Sequence, residues 1–284
     1  MIDCGEGTQM QLRRMRFRLG RLGNVFISHL HGDHVFGLFG LLSSLGLTGR
    51  ETPLRIYGPP ALEDVVLQHI DMFDIHLPYE VIFHPLHCEG SNVIYEDKVL
   101  TVRHFPLRHR IPACGYLFRE KERKRKFIPG VLEQYEIPIA LRKGIQEGDD
   151  LPLEDGRIIP NDELTMSGPP PRSYAFCSDT AYDRSFIPFI RGVDLLYHEA
   201  TFANADVQRA TETMHSTARQ AALIAREAEV KRLVIGHFSA RYKDLNILLE
   251  EAREIFPETY LAEDGKRFEV PLRKNDTCLP AGRE

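Results

Sequence analysis

A layered α/β fold is predicted for this chain of 284 residues by three observations. Four short apolar runs, rich in β-branched and aromatic residues, read as buried strands at 24–28, 174–178, 195–197 and 232–236. Helical patterns occupy the intervals between them. Each run also ends in a polar or ionisable side chain: His29, Asp179, His198 with Glu199, and His237. In layered α/β proteins functional groups collect where strand ends feed loops, because the strand aims the residue and the loop gives access to it. Four such ends predict one shared site.

Taken in chain order, the N-terminal part carries five arginines, Arg13, Arg14, Arg16, Arg18 and Arg21, where a signal peptide would have an apolar segment. No stretch reaches the ~18 consecutive apolar residues of a membrane helix. The longest, 35–47, is broken by Gly37, Gly40, Ser43, Ser44 and Gly46. A soluble, cytoplasmic protein is therefore expected, with no membrane partner. Hydrophobic residues at 43% and charged residues at 27% suit an ordinary globular core. The helix expected at 36–47 is apolar nearly all round, which predicts burial on every side. The five cysteines, Cys4, Cys88, Cys114, Cys177 and Cys278, form no Cys-x-x-Cys pair, so each is expected to be a core residue or an incidental thiol.

Between 116 and 173 the character changes. Six cations, Arg119, Lys121, Arg123, Lys124, Arg125 and Lys126, face two glutamates, and many prolines follow with few long apolar runs. This reads as an inserted arm at 119–173 on a single domain spanning 1–284. Beyond it, Ser216 or Thr217 can cap a helix reaching about 228, an amphipathic helix is expected at 244–256, and the polar tail 275–284 is expected to be disordered. A net charge of −5 weighs little against these local basic runs, since a polyanion feels distribution rather than total.

The chemistry is concentrated in His29-Leu-His31-Gly-Asp33-His34, directly after a strand. Imidazole and carboxylate suit Zn²⁺ or a similar first-row ion. Four such groups within six residues exceed what one ion takes from a tight loop, so the spacing favours two adjacent metals. His109, Asp179 and His237 are the best-placed further ligands. His69, His76, His84, His87 and His104 lack a strand-end setting and are read as structural. His215 precedes a helix start, where a carboxylate such as Glu199 could raise its basicity and let it act as an acid. A basic segment beside a hydrolytic metal site points to a polyanionic substrate.

With these residues in view, the chain resembles the ribonuclease Z family, the tRNA 3′-processing endonucleases. The matching pieces are Asp3-Cys-Gly-Glu-Gly-Thr-Gln9, the His29 to His34 cluster, the segment around His109, Ser178-Asp-Thr180, His198-Glu-Ala-Thr201, Met214-His-Ser-Thr217 and His237-Phe-Ser-Ala-Arg-Tyr242, nearly the whole chain in order. The first cluster alone says only metallo-β-lactamase superfamily; the His215 and His237 segments narrow it. The resemblance implies a four-layer αββα sandwich with two Zn²⁺ ions, Mn²⁺ or Fe²⁺ being able to use similar ligands. It implies one zinc on His29, His31 and His109, the other on Asp33, His34 and His237, and Asp179 bridging. It further implies Asp33 as general base, His215 backed by Glu199 protonating the leaving oxygen, and Arg241 steadying the scissile phosphate. The arm would clamp precursor tRNA, often across a homodimer. Family members usually carry a β-hairpin ahead of the Asp3 segment. A chain lacking those first strands is expected to expose a sheet edge and lose stability. Two other readings stand beside this one: a hydrolase of small esters, thioesters or lactams on the same fold, and a metal-free RNA-binding module without turnover.

Overall fold

The computed structural model describes residues 1–272, so the expected tail at 275–284 lies outside the described residues. The chain opens with α1 (Thr8–Arg14), β1 (Asn24–Phe26), α2 (Gly32–Val35), α3 (Gly37–Leu47), β2 (Leu54–Gly58), α4 (Ala61–Met72) and β3 (Val81–Pro85). It continues through β4 (Val93–Glu96), β5 (Leu100–Leu107) and β6 (Ala113–Glu120). A run of short elements follows: β7 (Lys126–Phe127), α5 (Val131–Gln134), α6 (Ile139–Glu147), β8 (Leu151–Pro152), β9 (Ile158–Ile159), α7 (Asn161–Leu164) and β10 (Thr165–Met166). The last part holds β11 (Ser173–Cys177), α8 (Ile187–Ile190), β12 (Leu195–Glu199), α9 (Val207–Thr213), α10 (Ala218–Glu227), β13 (Leu233–Gly236), α11 (Asn246–Arg253) and β14 (Thr259–Leu261).

Two compact units result. The larger takes Met1–Glu96, Val102–Phe118 and Ser173–Phe268. Its strands form a three-stranded parallel sheet, β1-β2-β3, and a seven-stranded sheet in the order β14-β13-β12-β11-β6-β5-β4. Strand alternation decides what each face meets. On β1 and β2, Val25, Ile27, Leu54 and Ile56 turn to a core shared with Leu38, Leu41, Leu42 and Leu45 of α3 and Leu62 and Val66 of α4. Phe26 turns the other way and meets Tyr116 and Phe118 of the second sheet at ring separations of 5.6 and 5.5 Å. On that sheet Ala175, Cys177 and Leu196 face Ala218, Ala221, Ala222 and Ala225 of α10, small residues on both sides that let helix and sheet approach closely. The layers are thus helix, sheet, sheet, helix, an αββα sandwich with an aromatic seam between its sheets. Strands β11 to β14 run parallel, so their C-terminal ends open on one edge.

Several elements differ from expectation for identifiable reasons. Strand β1 ends at Phe26 because pairing then passes to the other sheet: Ile27 still donates to the Tyr57 carbonyl of β2 (2.7 Å), but the Ser28 carbonyl accepts from Cys114 of the other sheet (3.0 Å). Helix α3 is buried or half-buried along its length and opens only at its ends, where Leu47 is 89% and the preceding Phe36 57% exposed. Cys88 and Cys114 are joined by a disulfide, correcting the expectation of isolated thiols. They stand 26 residues apart with no spacing motif, and only the β5–β6 fold-back puts Cys114 beside the loop after β3. Helix α10 begins after a Thr217 capping box with Gln220.

The smaller unit takes Asp97–Thr101, Arg119–Arg172 and 269–272. It holds a core of its own, with Val131, Ile137, Ile145, Leu151, Ile159 and Leu164 buried together. The sequence reading missed that core because its apolar residues come singly or in pairs between prolines and charges. Asn161 ties it, donating to the carbonyls of Ile145 (2.7 Å) and Asp149 (2.6 Å).

One close approach positions the N-terminal loop. Cys4 donates to the His34 carbonyl and its own carbonyl accepts from Gly37, which draws Gly5 against the start of α3. A Cβ on Gly37 would lie 1.7 Å from the Gly5 carbonyl oxygen. In an exposed helix Gly→Ala gains about 1 kcal/mol. Here the sign reverses, and Gly37→Ala is expected to cost about 3 kcal/mol as helix and loop are forced apart. Urea unfolding checks this; an unchanged midpoint would contradict the packing described.

Candidate metal centre

Seven side chains converge at the strand ends of the larger unit. His29, His31, His109 and Asp179 offer ligand atoms all within 4.8 Å of one another, and so do Asp33, His34 and His237. Asp179 lies between the groups, its Oδ2 3.6 Å from His29 Nε2 and its Oδ1 3.4 and 3.3 Å from the Nε2 atoms of His34 and His237. The loop after β1 supplies His29 and His31, the short helix α2 supplies Asp33 and His34, the turn after β5 supplies His109, and the residues following β11 and β13 supply Asp179 and His237.

The hydrogen-bond network sets the tautomers. His109 Nδ1 can only donate to the Met214 carbonyl (2.9 Å), and His34 Nδ1 only to Asp3 Oδ2 (2.8 Å). Thr201 gives its single hydroxyl proton to Glu199 (2.8 Å) and so accepts from His237 Nδ1 (2.9 Å). Ser28 gives its own to Asp3 (2.9 Å) and accepts from His29 Nδ1 (2.9 Å). In all four rings, when neutral, the Nε2 lone pair points inward, toward carboxylate oxygens or another ring nitrogen that also carry lone pairs. Such an arrangement is repulsive unless a proton or a metal ion sits among these atoms. His34 Nε2 and Asp179 Oδ1 are buried and make no hydrogen bond.

That donor set fits bound metal. Four histidines are oriented through their far nitrogens by fixed acceptors, as metal-binding imidazoles are. His31 Nδ1 lies 3.1 Å from His29 Nε2 and 3.2 Å from His109 Nε2. A tetrahedron with metal–nitrogen bonds of about 2.0–2.1 Å has edges of about 3.3 Å, close to these separations.

Electrostatics agree. Desolvation, reinforced by neighbouring histidines, lowers His29 to about 3 and leaves it a neutral donor. The hydrogen bond with His237 holds Asp33 at about 2 despite some desolvation. Burial opposes the charge on Asp179, yet His34 and His237 keep it well below the usual carboxylate range. Desolvation would lower His34, but Asp179 and Asp3 carry it up to about 10. The negative field that holds a proton there would equally hold a metal ion in its place.

The other expected site residues divide. His215 Nδ1 sits 2.9 Å from Glu199 Oε1, and the buried Glu199 also accepts from the amides of Thr180, Thr201 and Ser216. The His215 ring lies 5.2 Å from His109 and 5.4 Å from His237, so it flanks both metal groups. Arg241 is held on Asp206 (3.2 Å) and over the Phe202 ring, which in turn meets His215. In the smaller unit Arg123, Lys124 and Arg125 pair with Glu120, Glu147 and Asp162, while Arg119 and Lys126 are exposed. Residues that the sequence reading did not single out also build the centre. Asp3 binds Ser28 twice and His34 once, and Thr201 links Glu199 to His237. Asp3, Met214 and His237 all have positive φ (51°, 60° and 59°), and backbone strain of this kind gathers at functional sites.

Residues 1–138 match the family model described as a beta-lactamase superfamily domain. Over 270 residues the chain is 52% identical to a ribonuclease Z of Parabacteroides distasonis, covering 95% of this chain and 89% of that one. The crystal structure of human tRNase Z, short form, is similar with a TM-score of 0.69 at 29% identity, covering 95% of this chain and 88% of its own. A metallo-beta-lactamase fold protein of Bacillus subtilis shares the fold with a TM-score of 0.62 at 20% identity, covering 94% of this chain and 86% of its own.

Proposed function

The chain belongs to the ribonuclease Z family, and from that premise we propose how its centre cuts precursor tRNA. It is a hydrolytic endoribonuclease acting at the 3′ side of the tRNA, and the small-ester hydrolase and metal-free readings give way to this one. The observation that carries the mechanism is the pair of donor groups sharing Asp179, flanked by the His215–Glu199 couple.

His29, His31 and His109 would hold one Zn²⁺, Asp33, His34 and His237 a second, and Asp179 both; Mn²⁺ or Fe²⁺ accept similar donors. Bound zinc supplies Lewis acidity and lowers the pKa of water to about 7. Asp33, whose side chain is 60% exposed, receives the proton of the attacking water. As the bond from phosphorus to the tRNA 3′ oxygen breaks, protonated His215 gives its Nε2 proton to that oxygen. Glu199, fixed by three backbone amides, accepts from His215 Nδ1 and stabilises the imidazolium. Arg241 is placed to steady the phosphate. The products are a tRNA with a 3′-hydroxyl and a trailer with a 5′-phosphate.

The basic residues Arg119, Lys121, Arg123, Lys124, Arg125 and Lys126 bind the tRNA backbone in this reading, across a homodimer in the cytoplasm. Arg13, Arg14, Arg16, Arg18 and Arg21 are all exposed and add to the cationic surface. Among the described residues no helix is long and apolar enough to cross a membrane. Incubation with end-labelled pre-tRNA and Zn²⁺ or Mn²⁺ is expected to give cleavage beside the discriminator base. Its kcat/KM should fall at least tenfold between 50 and 200 mM salt as phosphate contacts are screened. Cleavage elsewhere, or none, would refute the reading.

A further inference from the structure

On the flank of the centre formed by His31, an open cavity of about 900 Å³ runs between the loop after β1, the start of α4, the segment after β3 and the β5–β6 turn. Leu30, Pro59, Pro60, Leu86, Leu107 and Ile111 give it apolar walls. Among the described residues no lysine or arginine lines it; the titratable groups in its wall are His31, His87 and Glu89. These residues offer a phosphate no cationic side chain, whereas the flat apolar face of a base would pack against the walls, with His87 and Glu89 able to meet its polar edge. The cavity is continuous with the reaction centre because His31, within reach of His29 and His109, forms part of its wall.

Orientation selects which base. The rings run in the order His31, His109, His215, with 4.9 and 5.2 Å between successive centroids. With His215 at the leaving tRNA 3′ oxygen, the cavity beside His31 lies two rings away from that oxygen, which leaves it to the trailer nucleotides rather than to the tRNA end. We infer that this cavity is a subsite for the first unpaired nucleobases of the 3′ trailer. The inference rests on the assignment of His215 proposed above. The enzyme thus reads the trailer through apolar contact with its bases, while the cationic surfaces hold tRNA phosphates.

The test compares a pre-tRNA with one whose first two trailer nucleotides are abasic, using the whole chain and Ala61→Trp, which fills the cavity from its α4 side. For the unsubstituted chain kcat/KM is expected to fall about tenfold on the abasic substrate, the scale of one lost base contact. Ala61→Trp should cleave both at that lower rate, with metal content and hydrolysis of bis(p-nitrophenyl) phosphate unchanged. Equal cleavage of the two substrates by the unsubstituted chain, or full discrimination by Ala61→Trp, overturns the subsite. Fluorescence anisotropy with a short single-stranded RNA and its abasic analogue reads the cavity without turnover. If no pre-tRNA is cut but the abasic oligomer binds more weakly, and Ala61→Trp erases that difference, the function falls and the subsite stands. Equal binding of the two overturns it.

Discussion

Asp33→Ala is expected to lower the single-turnover rate on pre-tRNA by at least about 10³-fold while leaving the fold intact. A general base alone contributes about 10²- to 10⁴-fold, and here the same carboxylate is one of three donors of its metal group. Its side chain is 60% exposed and meets His34 and His237 at the rim of the centre, so little packing is lost with it. With two Zn²⁺ held as proposed, the zinc content should fall toward half while the melting temperature of the apo chain barely moves. A rate within tenfold of the unsubstituted enzyme would remove Asp33 from the mechanism.

Asp3→Ala is expected to act through stability and metal affinity together. The side chain accepts from the Ser28 amide (2.7 Å), the Ser28 hydroxyl (2.9 Å) and His34 Nδ1 (2.8 Å). Ser28 is fully buried and His34 nearly so, and each stranded donor costs about 1–3 kcal/mol. Alanine also tolerates the left-handed backbone at this position (φ 51°) less well than aspartate. The expected total is about 3–5 kcal/mol, read from urea unfolding of the apo chain. Zinc affinity should drop a further 10- to 100-fold, because His34 loses the partner that fixes its tautomer. Asp3→Asn, keeping the shape and one acceptor, should recover a good part of the stability. If Asp3→Ala binds zinc as tightly as before, the orienting role is refuted.

The contrast between these residues marks what a reader of the sequence could reach. The clustering of His29, His31, Asp33 and His34 was legible because four donors in six residues have few other uses. His109, Asp179 and His237 could be selected by position, each closing a strand or its turn. Asp3 offered no comparable signal: its role depends on a positive φ and on pairing with residues 25 and 31 positions away. Thr201 is likewise an ordinary threonine until Glu199 claims its proton. In the fold, the four strands and the helix capped by Thr217 followed from local pattern. The separate core around Ile145 did not, since apolar residues that come singly between prolines and charges meet only in the tertiary fold.

The Cys88–Cys114 bridge carries a consequence for where the chain is robust. Closing a loop of 26 residues removes conformational entropy from the unfolded chain, worth about 3–4 kcal/mol on the loop-closure model. That sum is a large part of the roughly 5–15 kcal/mol that separates most domains from unfolding. Disulfides persist in oxidising compartments and are reduced in cytosolic surroundings. Because Cys114 also donates its amide to the Ser28 carbonyl, the bridge tethers the loop after β3 to the residue next to His29. With both thiols reduced, that tether is gone while every ligand stays in sequence. The same polypeptide then has two thermal ceilings, set by the thiol chemistry around it rather than by its substrate.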